Sequence, residues 1–174
     1  MKIIFLDVDG VLNCDTTEET VNGWVFVDDD KIKLVRYIVD KTGAKIVLDS
    51  TWRQGYYGLT QKNPGDISDW GEMEYEALKE RCAQYGVNFW GFTGWPDTCD
   101  RGSEIHEWIS DYIDLYEDGD PITAYVIIDD IDLRITERYP NNFVHTAGAV
   151  GLTLHDAEEA IAILNRNDGG IIYE

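Results

Sequence analysis

Residues 2–12 read Lys-Ile-Ile-Phe-Leu-Asp-Val-Asp-Gly-Val-Leu, and this stretch decides the fold. A short apolar run, Ile3 to Leu6, stops at two carboxylates, Asp7 and Asp9, which Gly10 follows. Apolar runs of this length, rich in Ile, Val and Phe, predict a strand buried on both faces of a parallel sheet. Acids at the carboxyl end of such a strand lie where open α/β sheets bind their ligands.

The two acids predict a metal site. If the strand extends that far, its period of two residues points Asp7 and Asp9 to the same side. Two like charges held close together are unfavourable unless a cation or a shared proton compensates them. Asp and Gly also form ordinary polar turns, and a turn is the alternative interpretation of the same residues.

Length and composition indicate one globular domain over residues 1–174. The chain is long enough for a sizeable core, and a hydrophobic content of 44% excludes a disordered chain. No apolar run approaches the roughly 20 residues that cross a bilayer. Lys2 precedes only about five apolar residues, too few for the core of a signal peptide. We therefore expect a cytoplasmic protein without membrane contact.

The charge restricts the partners. A formal net charge of −20 arises from 34 Asp and Glu against 14 Lys and Arg. Such a chain repels the phosphates of a long nucleic acid, which proteins normally bind through Lys and Arg. A small anion can still bind where a metal and one or two Arg dominate locally. The sequence leaves the oligomeric state open.

Strand and helix patterns alternate along the chain, which predicts parallel strands joined by helical crossovers. Asn22-Gly23 marks a hairpin over residues 16–27, either a flap over the acids or an ordinary edge hairpin. Asp28 to Asp30 favour a helix start, with one acid as its cap, and a metal role is the alternative. Further elements are predicted at about 44–48 (strand), 69–85 (helix, with Asp69 and Glu72 as a capping box), 87–92 (strand), 102–116 (helix), 124–128 (strand), 143–145 (strand) and 153–166 (helix, capped by Thr153).

Polar residues follow several of these strands, and the ends of parallel strands converge on one edge of a sheet. Ser50-Thr51-Trp52-Arg53 follows the second strand closely, and Asp129-Asp130 ends the fourth. Arg101 opens a helix, where a cation is unfavourable for the helix dipole, so a separate role is indicated. Oxygen ligands without His or Cys favour Mg²⁺. A carboxylate beside Mg²⁺ can act as a nucleophile toward phosphorus, and a second acid can transfer protons.

These motifs resemble those of the haloacid dehalogenase (HAD) superfamily of phosphatases. Residues 5–11, Phe-Leu-Asp-Val-Asp-Gly-Val, match its first motif. Ser50 fits the second motif, and residues 126–130, Val-Ile-Ile-Asp-Asp, fit the fourth. Residues 50–53, 101–105 and 151–153 are similar to a bacterial and phage subgroup of HAD-like hydrolases. The resemblance implies a three-layer Rossmann-like α/β fold, a parallel sheet with helices on both faces, with a small hairpin flap and no large cap.

The resemblance also implies residue roles. Asp7 would be the nucleophile and Asp9 the general acid and base. Mg²⁺ would be bound by Asp7, the backbone carbonyl of Asp9 and Asp129, with Asp130 close by. Ser50 would bind the phosphoryl oxygens, or Thr51 if the register differs by one residue. The family's basic third-motif residue is usually Lys; here Arg101 is the candidate and Arg53 its rival, and a phosphate clamp could use both.

The implied activity is a Mg²⁺-dependent phosphomonoesterase that forms an aspartyl-phosphate. An open site favours a large substrate and the charge disfavours a polynucleotide, so we expect a small phosphorylated substrate such as a nucleotide or the end of an oligonucleotide. Trp24, Trp52, Tyr56 and Tyr57 could stack a base or simply pack. Two alternatives remain: a phosphotransferase using the same site, and a non-catalytic regulatory or binding protein on this scaffold.

Overall fold

The fold is built on a five-stranded parallel sheet, seen in a computed structural model that describes residues 1–56, 71–94, 100–115 and 120–166. Its strand order is β5-β4-β1-β6-β7, which places β1 in the middle. A separate two-stranded hairpin consists of β2 and β3. The strands are β1 (Lys2–Leu6), β2 (Thr20–Val21), β3 (Trp24–Val25), β4 (Lys45–Leu48), β5 (Phe89–Phe92), β6 (Ala124–Asp129) and β7 (Phe143–His145).

Helices cover both faces of this sheet, as the three-layer prediction requires. The described helices are α1 (Asp29–Thr42), α2 (Glu72–Gln84), α3 (Arg101–Leu115), α4 (Ile135–Arg138) and α5 (Leu154–Leu164). Alternate residues of β1 point to opposite faces. Ile4 and Leu6 belong to the core that includes residues of α1, α2 and α5. Ile3 and Phe5 belong to the core formed with α3 and α4. The predicted α/β fold is confirmed.

The central strand is buried as its composition predicts. Residues Ile3 to Leu6 are all 0% exposed, and β1 is hydrogen-bonded on both sides to parallel strands, β4 and β6. The polar residues that follow β4, β1 and β6 therefore lie side by side at one edge of the sheet. That edge carries the candidate site.

The predicted hairpin after the first strand is present. β2 and β3 pair antiparallel around Asn22 and Gly23, whose φ angles are 49° and 85°. Positive φ at both turn residues is the requirement that Asn-Gly meets well. The Asn22 side chain donates to Glu74 Oε1 of α2 at 2.8 Å, and Arg81 of α2 pairs with Glu19 beside the hairpin. The hairpin is thus fastened to α2.

Two details differ from the sequence-based prediction. Asp28 occupies the N-cap position of α1, but its side chain makes no cap hydrogen bond; its Oδ2 instead accepts from Thr17 Oγ1 at 2.7 Å. The capping prediction is wrong for Asp28. Helix α4 was not predicted, since four residues are too few to show a helical pattern. Asp69, half of the predicted capping box of α2, lies outside the described residues.

The predicted cap of the last helix is confirmed. Thr153 and Asp156 form a reciprocal capping box at the start of α5. Across the described ranges, no helix is both long enough and apolar enough to cross a membrane.

Candidate active site

The candidate site begins where three neighbouring strands end. The backbone N–H of Asp7 donates to the carbonyl of Ile128 at 3.0 Å, and that of Asp49 donates to the carbonyl of Leu6 at 2.8 Å. These bonds continue the sheet ladder by one residue beyond β1. They hold Asp7 level with the ends of β4 and β6, so sheet pairing rather than a loop fixes its backbone.

The structure brings three of the predicted acids together. Carboxylate oxygens of Asp7, Asp129 and Asp130 all lie within 4.8 Å of one another. Asp7 and Asp129 are buried, and Asp130 is half-buried. The donor set is oxygen only, which suits Mg²⁺. Among the described residues, the buried Oδ2 of Asp129 accepts no well-aligned hydrogen bond, and its charge is met only by the nearby Arg101 guanidinium.

Burial makes the charged forms of these acids unfavourable. It raises the pKa of Asp7 well above its ordinary value, and repulsion from Asp129 raises it further, although Arg101 opposes both. Burial raises the pKa of Asp129 to about 7, again against the attraction of Arg101. Burial is also the main reason that the pKa of Asp130 is raised. A divalent cation would supply the missing compensation and keep all three ionised.

Two glycines make room for the Asp130 carboxylate. A Cβ on Gly10 would lie 2.2 Å from Asp130 Oδ2, and one on Gly148 would lie 2.4 Å from the same atom. Gly10 also has a φ of +68°, in the region that favours glycine. Thr146 Oγ1 donates to the Gly10 carbonyl at 2.9 Å, which joins the loop after β7 to the loop after β1. Any larger residue at either glycine would displace Asp130.

Arg101 is the cation that the structure places among these acids. Its Nη2 lies 3.6 Å from Asp7 Oδ1 and its Nε lies 3.1 Å from Asp129 Oδ2. Its Nη1 donates to the backbone carbonyl of Asp49 at 2.6 Å and to Asp49 Oδ1 at 3.2 Å. Burial opposes the charge of Arg101, but attraction from Asp49, Asp7 and Asp129 outweighs burial and raises its pKa.

Arg53 lies behind this group. Its guanidinium donates to the Ser50 carbonyl at 2.7 Å, to the Gly94 carbonyl at 3.1 Å and to Glu104 Oε2 at 2.5 Å. The same Glu104 oxygen is 3.6 Å from Arg101 Nη1. The guanidinium seen beside Asp7 is therefore that of Arg101, while Arg53 braces the backbone after β4 and reaches Arg101 through Glu104.

The two hydroxyl candidates are placed very differently. Ser50 is 0% exposed, whereas Thr51 is exposed and starts a single 3₁₀ turn, Thr51–Arg53. The Ser50 hydroxyl is close enough to Asp7 to lower the pKa of that acid, although its Oγ has no well-aligned hydrogen-bond partner among the described residues. A buried hydroxyl without a settled partner beside Asp7 can bind an oxygen of a ligand. The geometry favours Ser50 for that role.

Asp9 stands apart from the three clustered carboxylates. Asp9 is exposed, and its side chain accepts two hydrogen bonds. Oδ2 accepts from Trp52 Nε1 at 3.0 Å, and Oδ1 accepts from Asn13 Nδ2 at 2.9 Å. The structure does not bring the Asp9 carboxylate into the cluster, so a metal role for Asp9 would rest on its backbone carbonyl.

Several of these partners were not singled out from the sequence. Asn13, Asp49, Glu104 and Gly148 all contact a site residue; Glu104 lies within the motif residues 101–105, and the other three lie outside the quoted motifs. Of these, Asn13 was the easiest to find from the sequence, because it lies only four residues after Asp9 and a short turn can bring its amide back to the end of the strand.

The four aromatic candidates lie in different surroundings. Trp24 is 62% exposed on the hairpin, Trp52 is buried, and Tyr56 stacks on Phe92 with ring centroids 3.9 Å apart. Tyr57 lies outside the described residues.

A family model described as "HAD domain in Swiss Army Knife RNA repair proteins" matches residues 3–157, which include every site residue above. Neither the curated proteins nor the solved structures contain a match to the chain.

Proposed function

The chain belongs to the family of HAD domains found in Swiss Army Knife RNA repair proteins, and on this basis we propose that it is a Mg²⁺-dependent phosphomonoesterase. One observation carries the proposal: Asp7, Asp129 and Asp130 cluster within 4.8 Å, and Arg101 contacts the first two of them. A buried cluster of acids with the Arg101 guanidinium against it suits a phosphoryl group bound together with a divalent cation.

Asp7 is the nucleophile in this proposal. Its carboxylate would attack phosphorus and form an aspartyl-phosphate while the bond from phosphorus to the ester oxygen breaks. Three features support Asp7: its backbone is fixed by the sheet, the Arg101 guanidinium lies 3.6 Å from its Oδ1, and the buried Ser50 hydroxyl is nearby. Arg101 and Ser50 would bind the phosphoryl oxygens, which accumulate charge in the transition state.

Asp9 is the proton carrier. As an acid it would donate its proton to the departing ester oxygen, and as a base it would then take a proton from the water that hydrolyses the aspartyl-phosphate. The exposure of Asp9 supports this role, because a leaving group and a water must both reach it.

The carboxylates of Asp7, Asp129 and Asp130, with the backbone carbonyl of Asp9, would hold Mg²⁺. The bound ion would neutralise charge on the acids and on the phosphoryl oxygens. The raised pKa values of the three acids support a cation requirement. Arg53 and Thr51 have supporting roles in this proposal. Arg53 would hold Arg101 in position through Glu104, and the exposed Thr51 would contact the outer part of a substrate.

The proposed substrate is the phosphorylated end of a nucleotide or of a short RNA. The family's description names RNA repair, which directs attention to terminal phosphates. The net charge of −20 makes it unfavourable for a long polynucleotide to bind along the protein surface. Recognition would therefore involve mainly the terminal phosphate and the bases nearest to it. Trp24, exposed on the hairpin, is available to stack on a base.

A substrate panel tests this function. Mononucleotides, oligoribonucleotides with 3′- or 5′-phosphate and p-nitrophenyl phosphate are incubated with the protein, with Mg²⁺ or with EDTA, and released phosphate is measured. We expect Mg²⁺-dependent release that is lost in Asp7→Asn. Release that persists in Asp7→Asn contradicts the nucleophile assignment, and no turnover on any substrate favours a binding protein.

A further inference from the structure

Two side chains hold Asp9, the general acid and base of the proposed reaction: Asn13, which lies outside the sequence motifs, and Trp52, which lies within residues 50–53. Trp52 Nε1 donates to Asp9 Oδ2 at 3.0 Å, and Asn13 Nδ2 donates to Asp9 Oδ1 at 2.9 Å. Each carboxylate oxygen therefore accepts one N–H hydrogen bond, and the two donors come from different strand ends. An exposed Asp side chain is normally free to rotate, so two donors restrict it strongly.

Each donor is itself held firmly. Asn13 is buried, and its Oδ1 accepts from the backbone N–H of Gly10 at 2.8 Å, which fixes the orientation of its amide. Trp52 is 9% exposed within the 3₁₀ turn after β4, and its ring lies against Phe26 with centroids 6.1 Å apart. Neither donor has to rearrange in order to reach Asp9.

We propose that Trp52 and Asn13 are positioning residues that hold the Asp9 carboxyl group in place for proton transfer. This inference rests on the proposed phosphomonoesterase function. Each Asp9 oxygen has a second lone pair that the two donors leave open, and the residue is exposed. One of those lone pairs carries the proton that goes to the departing ester oxygen, and later takes the proton from the attacking water. The aspartyl-phosphate forms and breaks without any change at Trp52 or Asn13.

The competing explanation is structural: a buried indole N–H needs an acceptor, and Asp9 supplies one. The two explanations differ in what the reaction would show. Loss of general acid catalysis slows an ester whose leaving oxygen needs a proton, but has little effect on a leaving group that departs readily as an anion. A structural defect lowers the rate with both kinds of ester alike.

The experiment therefore compares two esters. Trp52→Phe removes the N–H and keeps an aromatic ring against Phe26. The kcat/KM, which reports only the steps up to departure of the leaving group, is measured with glycerol phosphate, an alkyl ester, and with p-nitrophenyl phosphate, whose leaving group is a stabilised anion. We expect kcat/KM for the alkyl ester to fall about 10- to 100-fold, the effect of losing one strong hydrogen bond to the Asp9 carboxyl group, and that for p-nitrophenyl phosphate to fall by less than about 3-fold.

Asp9→Asn provides the matched control. It should show the same selectivity for leaving groups more strongly, and adding Trp52→Phe to Asp9→Asn should cause no further loss, because the residue that Trp52 positions can no longer transfer a proton. Equal losses on both esters, or additive losses in the double variant, overturn the positioning role while leaving the phosphatase function intact. A wild-type protein that hydrolyses neither ester overturns both.

A second variant keeps the proposal testable if Trp52→Phe folds poorly, as judged by circular dichroism and thermal melting. Asn13→Asp retains an oxygen to accept from the Gly10 N–H but replaces the donor to Asp9 with a like charge. We expect the same preferential loss on glycerol phosphate. An Asn13→Asp enzyme with an unchanged ratio of the two rates contradicts the proposal.

Discussion

Arg101 Nη2 lies 3.6 Å from Asp7 Oδ1, and this pair joins the start of a helix to the end of the central strand. The same guanidinium contacts Asp129 through Nε and Asp49 through Nη1. Arg101 is therefore the main cation of a buried group of acids. It is available both to balance those acids and to bind a phosphoryl group.

Two replacements of Arg101 should distinguish the effect of its charge on activity from the effect of its hydrogen-bond geometry. Arg101→Met removes the cation that contacts Asp7, Asp49 and Asp129, and removal of one member of a buried ion pair costs about 3–5 kcal/mol of folding free energy. We expect this variant to be inactive and to melt at a much lower temperature. Arg101→Lys keeps the charge but loses the forked contacts, so it should retain Mg²⁺-dependent turnover with kcat/KM lowered about 10- to 100-fold. An Arg101→Met enzyme with wild-type kcat/KM would contradict the assignment.

The space around Asp130 gives a prediction about metal affinity. Gly148→Ala would place a methyl group 2.4 Å from Asp130 Oδ2 and so displace that carboxylate. We expect the Mg²⁺ concentration for half-maximal activity to rise about 10- to 100-fold, as for other changes around metal ligands.

Gly94→Ala is the matched control for that experiment. A Cβ at Gly94 meets no atom of the described residues within 4 Å, so the Mg²⁺ requirement of this variant should stay close to that of the wild type. Equal Mg²⁺ requirements in Gly148→Ala and the wild type would show that Asp130 does not help to bind the ion.

The raised pKa values predict how stability depends on pH. A buried acid with a raised pKa binds its proton more tightly in the folded chain than in the unfolded one, so folding is favoured below the ordinary pKa and loses that stability as pH rises through the folded value. For Asp129 the window runs from its ordinary value of 3.8 to about 7. Each pKa unit corresponds to about 1.4 kcal/mol, so the loss is of the order of a few kcal/mol.

Thermal melting between pH 4 and pH 8 measures this effect. We expect the melting temperature without metal to fall as pH rises, and Mg²⁺ to stabilise the protein more at pH 8 than at pH 5. Asp129→Asn removes one titrating group and should flatten the curve measured without metal. A Mg²⁺ stabilisation that is the same at both pH values would argue against binding by these acids.

The exposed hairpin gives a prediction about the substrate. If Trp24 stacks on a base, Trp24→Ala should raise the KM for a phosphorylated oligoribonucleotide by about 5- to 100-fold, the usual range for loss of one stacked base. The effect on p-nitrophenyl phosphate should be smaller. Trp90→Ala removes another exposed Trp, on edge strand β5, and serves as the comparison. Equal effects of the two substitutions would remove Trp24 from substrate recognition.

The sequence predicted most of the fold because its signals were local. The run Ile3 to Leu6 is apolar on both faces, and Asn22-Gly23 requires positive φ at two successive residues; both patterns lie within a few residues. Thr153 and Asp156 likewise form their capping box three residues apart. By contrast, α4 is too short to show a helical periodicity of apolar residues. The Asp28 carboxylate accepts a hydrogen bond from Thr17 instead of capping α1, and helix propensity does not predict that bond.

The candidate site was only partly predictable, for a physical reason. Asp7, Asp129 and Asp130 follow predicted strands, so strand adjacency brings them together. The guanidinium beside Asp7 could not be chosen between Arg53 and Arg101 from the sequence, because that depends on where α3 begins relative to the sheet. The contacts of Asp9 with Trp52 and of Asp130 with Gly148 join residues far apart in the chain, and no single motif encodes them.

The most direct measurement is of covalent phosphorylation at Asp7. Asp9→Asn protein is mixed with a phosphate ester and Mg²⁺, quenched in acid and analysed by tandem mass spectrometry. Without its base the variant should hydrolyse the intermediate slowly, so we predict one phosphoryl group on Asp7, absent when Asp7→Asn is added. A phosphoryl group on another residue, or ester hydrolysis that survives Asp7→Asn, would contradict the proposed mechanism.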